Sequence, residues 1–373
     1  MYPRFFVTLS WLLLLLLPGR PAAAGEALTF AGIRLDLFGG WAYGKTDENL
    51  YLDAGTDGEW ENANLALSAR RDFSSKLRVV GQAELSQSPG ESEIELDYLF
   101  LDWRPNDTYT LRLGRSKQPF GIYSEFFDLG TDRPFYDLPQ GIYGPTEIVA
   151  ESLDGLSLLA RRDLAGSELR FDAYIGKVRF SATEPWEELE EGEAILEPEE
   201  EEIDREETFG FRLEWQNRAG FTLGVSAFRG EDTHEGDEEE FAAARAFGGH
   251  LVWDTGIWLV RAEAVHFEEE GNLNIEAAYL EAARHFGDHW QAAVRWDHTS
   301  TEVEEEDLGE FGAEELGEHR DLAVGVNYWV NPGLVLKLSH HWVEGERFLA
   351  GGEIGTPEAN EARLIRFGVQ FLY

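Results

Sequence analysis

The chain has 373 residues and a formal net charge of −41 at pH 7, which excludes the polyanionic backbone of a nucleic acid as a natural partner. It contains no cysteine, so no disulfide framework stabilises it. Beyond its first residues, no apolar run approaches the roughly 20 residues that a transmembrane helix needs, and this excludes a helical membrane protein.

The first 24 residues predict a secretory signal peptide. Arg4 supplies a positive charge, the segment from Phe5 to Leu17 is apolar apart from two hydroxyl residues, and alanines up to Ala24 provide small residues for cleavage. Residues 25–373 are therefore expected to form the exported protein, as a single domain.

Apolar and polar residues alternate along most of the remaining chain, which is the pattern of β-strands. In the last strand Ile365, Phe367 and Val369 share one face, while Arg366 and Gln370 share the other. The predicted strands number sixteen and cover about 28–45, 59–72, 76–86, 93–105, 109–117, 152–162, 168–179, 208–217, 220–230, 241–254, 257–267, 273–286, 289–300, 321–330, 334–343 and 361–373.

The connections between these strands alternate between short turns and long, mostly acidic loops. A soluble β-sandwich also has alternating strands, but its Greek-key connections have no reason to keep this rhythm. An even strand number, with tight turns at one end and long loops at the other, is typical of an outer-membrane barrel. We therefore predict an all-β, transmembrane antiparallel barrel with short periplasmic turns and long external loops, located in the outer membrane of a Gram-negative bacterium.

The side chains opposite the apolar face of each strand would point into the lumen. Mixed charges there would create a field that orients polar solutes and selects them by charge and size; the alternative is that they are ordinary wall residues, paired with their neighbours. The predicted pore-lining wall residues are Arg78, Glu84, Glu95, Arg112, Arg170, Arg212, Arg261, Glu263, Arg295, Asp297, Lys337 and Arg366.

Two segments resemble porins of the Gram-negative outer membrane, both general and phosphate-selective. The stretch from Leu111 to Glu125 (LRLGRSKQPFGIYSE) is similar to their passage from strand to loop, and the end of the chain from Gly368 to Tyr373 is similar to their assembly signal. The resemblance implies a sixteen-stranded porin that forms a homotrimer, passes ions and small hydrophilic solutes, and folds its third long loop into the lumen as a constriction.

That loop corresponds to residues 118–151, the longest connection in the chain. Its candidate constriction residues are Glu125, Asp128, Asp132 and Arg133. Lys117, directly before the loop, is a further candidate constriction charge; its alternative is a lysine that extends to the external membrane interface.

A second long loop is predicted at 181–207, with fourteen acidic residues and a single arginine. Such a segment is typically solvated and self-repelling, although crowded carboxylates can also hold divalent cations that bridge to lipopolysaccharide. The 72 acidic residues against 31 basic ones suggest a bias toward cations, so anion selectivity cannot be assumed.

An enzyme is not expected, because no zinc-protease helix, serine-hydrolase elbow or phosphate-binding glycine loop is present. The alternation places the polar side chains of Ser226, Ser339 and His341 on the lumen face of their strands, but the sequence identifies no acid that would orient the histidine. No cofactor or metal site is predicted. Outer-membrane lipid, lipopolysaccharide and small solutes are the expected partners. The alternative function is a structural or adhesive barrel with a plugged lumen, whose acidic loops bind an external partner or divalent cations.

Overall fold

A computed structural model describes most of the chain from Leu28 to Tyr373. The described residues are 28–88, 91–144, 148–184, 187–188, 194–195, 199–234, 242–270, 273–303, 318–345, 348–349 and 360–373. The predicted signal peptide, 1–24, lies outside them.

Sixteen long strands form the wall of a barrel. They are β1 (Ile33–Thr46), β2 (Glu59–Asp72), β3 (Leu77–Ser88), β4 (Glu91–Trp103), β5 (Tyr109–Lys117), β6 (Ser152–Leu164), β7 (Ser167–Glu184), β8 (Glu199–Asn217), β9 (Phe221–His234), β10 (Ala242–Asp254), β11 (Trp258–Glu269), β12 (Leu273–Phe286), β13 (Trp290–Val303), β14 (Glu318–Asn331), β15 (Leu334–Glu344) and β16 (Glu361–Leu372).

Each strand pairs antiparallel with the next, and β16 pairs with β1, so the sheet has no open edge. The seam is extended by two backbone hydrogen bonds of 2.7 Å between Leu37 and Tyr373. Closure is required in a bilayer, because hydrocarbon offers no partner for an unpaired N–H or C=O group. The predicted sixteen-stranded antiparallel barrel is confirmed.

The first predicted strand, 28–45, is interrupted. Ala31 and Gly32 have φ angles of +52° and +79° and form a turn, so Leu28–Phe30 folds back and pairs with Ile33–Leu35 outside the closed ring. Glycines make similar turns between later strands, for example Gly220 with φ +85°. Only glycine adopts this conformation without steric cost, which is why these short connections are readable from sequence.

The predicted acidic loop 181–207 is wrong in its bounds. β7 continues to Glu184 and β8 begins at Glu199, with these two residues paired in register. The backbone ladder therefore continues although the apolar alternation of the sequence has ended. A short pair, Glu187–Glu188 with Ala194–Ile195, lies in the same connection, and its remaining residues lie outside the described ones.

Side chains alternate between the lumen and the outer surface along every strand. The outer face carries exposed large apolar residues such as Leu113, Ile175, Phe247 and Leu338. The inner face carries most of the buried polar and charged residues, including Arg212, Arg295 and Arg366. This arrangement is that of a barrel with lipid outside and polar groups inside. Among the described residues, no helix has the length and apolar character that crossing a membrane would require.

Candidate functional site

The connection from β5 to β6, residues 118–151, packs against the inside of the wall. It contains two short 3-10 turns, Ser124–Phe126 and Gly130–Asp132, and one helical turn, α1 (Gln140–Tyr143). Its apolar side chains form one buried cluster with inward residues of β7 and of β9 to β12. From the connection the cluster includes Phe120, Ile122, Tyr123, Leu138, Ile142 and Tyr143, and from the wall it includes Tyr174, Phe228, Phe267, Ile275 and Tyr279.

The segment from Gly130 to Asp137 is held to the wall through its backbone carbonyls. The Lys337 ammonium donates to the carbonyls of Gly130 at 2.7 Å, of Phe135 at 3.1 Å and of Arg133. Neighbouring carbonyls accept from other wall side chains: that of Asp132 from Arg261 at 3.2 Å, that of Pro134 from Asn327 at 2.7 Å, and that of Asp137 from Arg295 at 2.8 Å. We call these four wall side chains the carbonyl clamp.

Side chains of the same connection make further bonds to the wall. Asp137 pairs with Arg366 at 3.0 Å, and although burial opposes it, this guanidinium lowers the pKa of Asp137. Asp297 accepts from the backbone N–H of Gln140 at 2.6 Å, and Glu263 accepts from the Tyr143 hydroxyl at 2.7 Å.

Arg212 bridges Glu125 of the connection, at 2.7 Å, and Asp172 of the wall. Of the predicted lumen residues, these contacts therefore involve Arg212, Arg261, Glu263, Arg295, Asp297, Lys337 and Arg366.

Open space remains on the opposite side of the connection, against β2 to β4. This space is a cavity of about 300 Å³. The wall contributes Glu84, Glu95 and Asp97, and the connection contributes Asp128, Arg133 and Glu151. Five carboxylates thus face one another across the cavity, and the smaller lining groups are Asn64, Ser86 and Phe127.

Lys117 lies beside this cavity, and its ammonium is enclosed by three of the five carboxylates. Its Nζ is 2.8 Å from Asp97 Oδ1 and 3.1 Å from Asp128 Oδ2, and it also contacts Glu151. The side chain is only 7% exposed. It therefore does not extend to the external membrane interface, the alternative that the sequence had left open.

Asp97 reaches Lys117 because the ladder between β3 and β4 contains a β-bulge. Gln82 pairs with Tyr98 and Ala83 with Leu96, so Asp97 is the additional residue. Sequence alternation put Asp97 in the inward phase but did not identify it as a partner of Lys117. Glu151 was missed because it stands at the end of the connection, outside any alternating pattern.

Glu84, Asp97 and Asp128 have carboxylate oxygens within 4.8 Å of one another, close enough to share a cation. The Lys117 ammonium already supplies positive charge to two of them. Enclosure in the lumen, together with repulsion from Asp128 and Asp97, raises the pKa of Glu151 to about 8. The arrangement is an internally compensated acidic cluster that retains an excess of negative charge.

Arg133 differs from the arginines that clamp the connection, Arg261 and Arg295, because no ion pair or hydrogen bond joins its guanidinium to a described residue. Its Nε is buried without a hydrogen-bond partner, as are the Nε atoms of Arg261 and Arg295. Its backbone carbonyl is held by Lys337, so the residue is fixed at its main chain while its guanidinium has no acidic partner among the described residues.

The other predicted residues lie away from the cavity. Arg78 pairs with Asp72 at 2.6 Å and Arg170 pairs with Glu168, both near the short turns. Arg112 pairs with Asp102 at 2.9 Å and stacks 3.8 Å from the centre of the Phe100 ring. The Asp132 side chain does not line the cavity.

The structure places an acidic residue, Asp321, next to Ser339 and His341. His341 Nε2 lies 2.9 Å from Ser339 Oγ, and its Nδ1 lies 2.8 Å from Asp321 Oδ2, on the neighbouring strand. The order of the groups is that of a serine-hydrolase triad. Ser339 is only 6% exposed, however, and His341 and Asp321 are fully buried, so a substrate carbonyl has no access to the hydroxyl. The chain of hydrogen bonds is structural in this conformation.

The sequence profile of the family described as phosphate-selective porin O and P matches residues 48–348. No curated protein sequence matches the chain.

Several solved structures share the fold. OmpF of Salmonella typhi, in complex with daunomycin, has a TM-score of 0.60 at 13% identity, and the alignment covers 93% of this chain and 100% of the OmpF chain. The anion-selective porin of Comamonas acidovorans has a TM-score of 0.58 at 10% identity, covering 91% and 99%. The trimer form of OmpT from Vibrio cholerae has a TM-score of 0.53 at 11% identity, covering 92% and 100%.

Proposed function

Because this chain belongs to the phosphate-selective porin O and P family, we propose that it lets ions and small hydrophilic solutes diffuse across the outer membrane, with a preference for cations. The proposed path passes between the connection 118–151 and strands β2 to β4. In this proposal the connection is the constriction, and the residues that set the field are those of the cavity.

The observation that carries the cation preference is the separation of charges across the connection. The cations of the carbonyl clamp and Arg366 are nearly fully buried beneath it, whereas five carboxylates line the open side. Charges in a narrow passage with walls of low dielectric act strongly on a passing ion. Lys117 is bound by three of those carboxylates, which leaves Arg133 as the one cavity cation without an acidic partner among the described residues.

This preference does not follow from the relatives. The family description names phosphate selectivity, and one structural neighbour is titled an anion-selective porin. A phosphate-selective passage would need several unpaired cations at its narrowest point. The proposal therefore rests on this chain's own cavity. It assigns the cation preference to the cavity carboxylates and not to the excess of acidic residues in the chain as a whole.

By analogy with the trimer form of the Vibrio cholerae protein, we propose a homotrimer, surrounded by outer-membrane lipid and lipopolysaccharide. Export by a signal peptide of residues 1–24 remains a prediction from sequence.

The test is the reversal potential of the refolded protein, without residues 1–24, in a planar bilayer under a salt gradient. We expect a steady current that prefers the cation. The double variant Glu84→Gln/Glu95→Gln should move the reversal potential toward zero, while the matched double variant Asp107→Asn/Asp288→Asn, in two short turns, should not. An anion preference in the wild-type protein would refute the cation proposal.

A structural barrel with a plugged lumen is the second candidate, favoured by the large apolar cluster that the connection 118–151 buries against one side of the wall. It predicts a correctly folded protein that carries no current. The same bilayer experiment therefore separates the two functions.

A further inference from the structure

Among the described residues, three charged groups of the cavity have no ion-pair partner: Glu84, Glu95 and Arg133. Lys117 engages Asp97, Asp128 and Glu151. Glu84 accepts one hydrogen bond from the neutral amide of Asn64, at 3.1 Å, and makes no ion pair with a described residue. Glu95 also lacks such an ion pair, and its side chain is exposed to the cavity.

Arg133 is the opposite charge in this set. Arg133 is among the residues that line the cavity, and its guanidinium has no acidic partner among the described residues. The carbonyl clamp fixes the backbone on both sides of Arg133, so the backbone cannot move to bring the guanidinium to an acid elsewhere on the wall. The guanidinium is thus held at the cavity, on the proposed path of the solute.

A solute that complements these groups would have two positively charged groups, to pair with Glu84 and Glu95, and one negatively charged group, to pair with Arg133. We propose that the cavity is a recognition site for small diamino carboxylic acids, an inference that rests on the proposed function as a channel. The carboxylate of the solute binds the guanidinium of Arg133 through paired hydrogen bonds, a geometry that suits arginine better than lysine. The two ammonium groups bind the carboxylates of Glu84 and Glu95.

Size agrees with this class of solute, because a cavity of about 300 Å³ is at the lower end of the range that holds small ligands. A simple metal cation would satisfy the carboxylates but leave Arg133 unpaired. A phosphate ion would satisfy Arg133 but would be repelled by the carboxylates. Only a solute with both signs of charge, and an excess of positive charge, complements the whole set.

The experiment measures how strongly solutes block the ion current of the full signal-free protein in a planar bilayer. Three probes of similar length are compared: lysine, cadaverine, which lacks the carboxylate, and 6-aminohexanoate, which lacks the second amino group. We expect lysine to halve the current at a concentration about tenfold lower than either of the other two, because each of them leaves one charged group of the site unpaired.

Variants assign the effect to Arg133. Arg133→Gln should raise the half-blocking concentration of lysine, which loses the partner of its carboxylate, and lower that of cadaverine, because a repelling cation is removed. Arg133→Lys should give an intermediate value, and Arg218→Gln, in a short turn, should behave as the wild type. Equal block by all three probes, no block by any, or unchanged lysine block in Arg133→Gln would overturn the recognition site. A wild-type protein without current in plain salt would instead refute the channel itself.

Discussion

Whether a charged side chain in the barrel is available to a solute depends on its partner. Lys117 and Arg133 are both cations at the cavity, yet three carboxyl groups enclose the ammonium of Lys117 while the guanidinium of Arg133 has no acidic partner in the described part of the chain. A paired charge contributes little to the outside field, because its partner cancels it at short range. Counting inward arginines and lysines therefore overestimates the anion-attracting power of this wall.

Glu151 predicts a pH-dependent selectivity. Enclosure in the lumen and the neighbouring carboxylates raise its pKa to about 8, so the ionised fraction of Glu151 increases as the pH rises above neutral. The added negative charge should increase cation preference between about pH 6.5 and pH 9.5, seen as a larger reversal potential under a fixed salt gradient.

The control for this prediction is Glu151→Gln, which should reduce the increase. Glu84, Glu95, Asp97, Asp128 and Arg133 also line the cavity, and Lys117 lies beside it. A variant that keeps the full pH dependence would show that one of these groups, and not Glu151, titrates in this range.

At the scale of elements, the connection 118–151 behaves as a packed part of the wall and not as a free loop. Its apolar side chains supply a core that the barrel wall alone lacks. The carbonyl clamp donates to the four consecutive carbonyls from Asp132 to Phe135 and to those of Gly130 and Asp137. Glycines on the wall make room for it: a Cβ on Gly368 would lie 2.3 Å from the Tyr136 ring. The constriction is thus held by both packing and hydrogen bonds.

Removing the ammonium at the centre of the clamp should release this element. Lys337→Met leaves three carbonyls without their donor, and an unsatisfied buried group costs about 1–3 kcal/mol. Part of that cost is offset because a buried charge is also removed, so the connection should loosen while the barrel remains folded. We expect chymotrypsin to cut within residues 118–151 in this variant but not in the wild type.

Lys76→Met, at an exposed turn between β2 and β3, is the matched control and should remain resistant to cleavage. Equal protection of the connection in Lys337→Met would mean that the apolar cluster alone holds it in place.

At the scale of the whole molecule, stability depends on closing the ring. The pairing of β16 with β1 gives every strand two neighbours, and in hydrocarbon each unpaired backbone group would cost several kcal/mol. The segment Leu28–Phe30 lies outside this ring, although it is also a strand and pairs with β1.

Two deletions test this distinction. Loss of residues 361–373 exposes the edges of β1 and β15, so the protein should fail to form the compact, detergent-resistant species that folded barrels show in unheated gel electrophoresis. Loss of residues 28–30 removes only the short strand that pairs with Ile33–Leu35 outside the closed ring, and it should leave that species intact. The dependence on closure would be refuted by a protein that folds equally well after both deletions.

The sequence by itself determined the number of strands, most of their bounds and the alternation of their side chains. The reason is physical: a wall between lipid and a polar lumen imposes a two-residue period, and Gly220 and similar turn residues mark the ends of the strands. Where lipid no longer imposes the period, at 181–207, the predicted bounds failed.

Only the tertiary structure decided which charges are available in the lumen. Lys337 meets carbonyls about 200 positions earlier in the chain, and a bulge brings Asp97 to Lys117. These contacts depend on how the connection 118–151 crosses the lumen, which a local pattern cannot encode. The same crossing buries Arg261, Arg295, Lys337 and Arg366 and leaves Glu84, Glu95 and Arg133 open, because a connection that occupies one side of a barrel covers the charges beneath it.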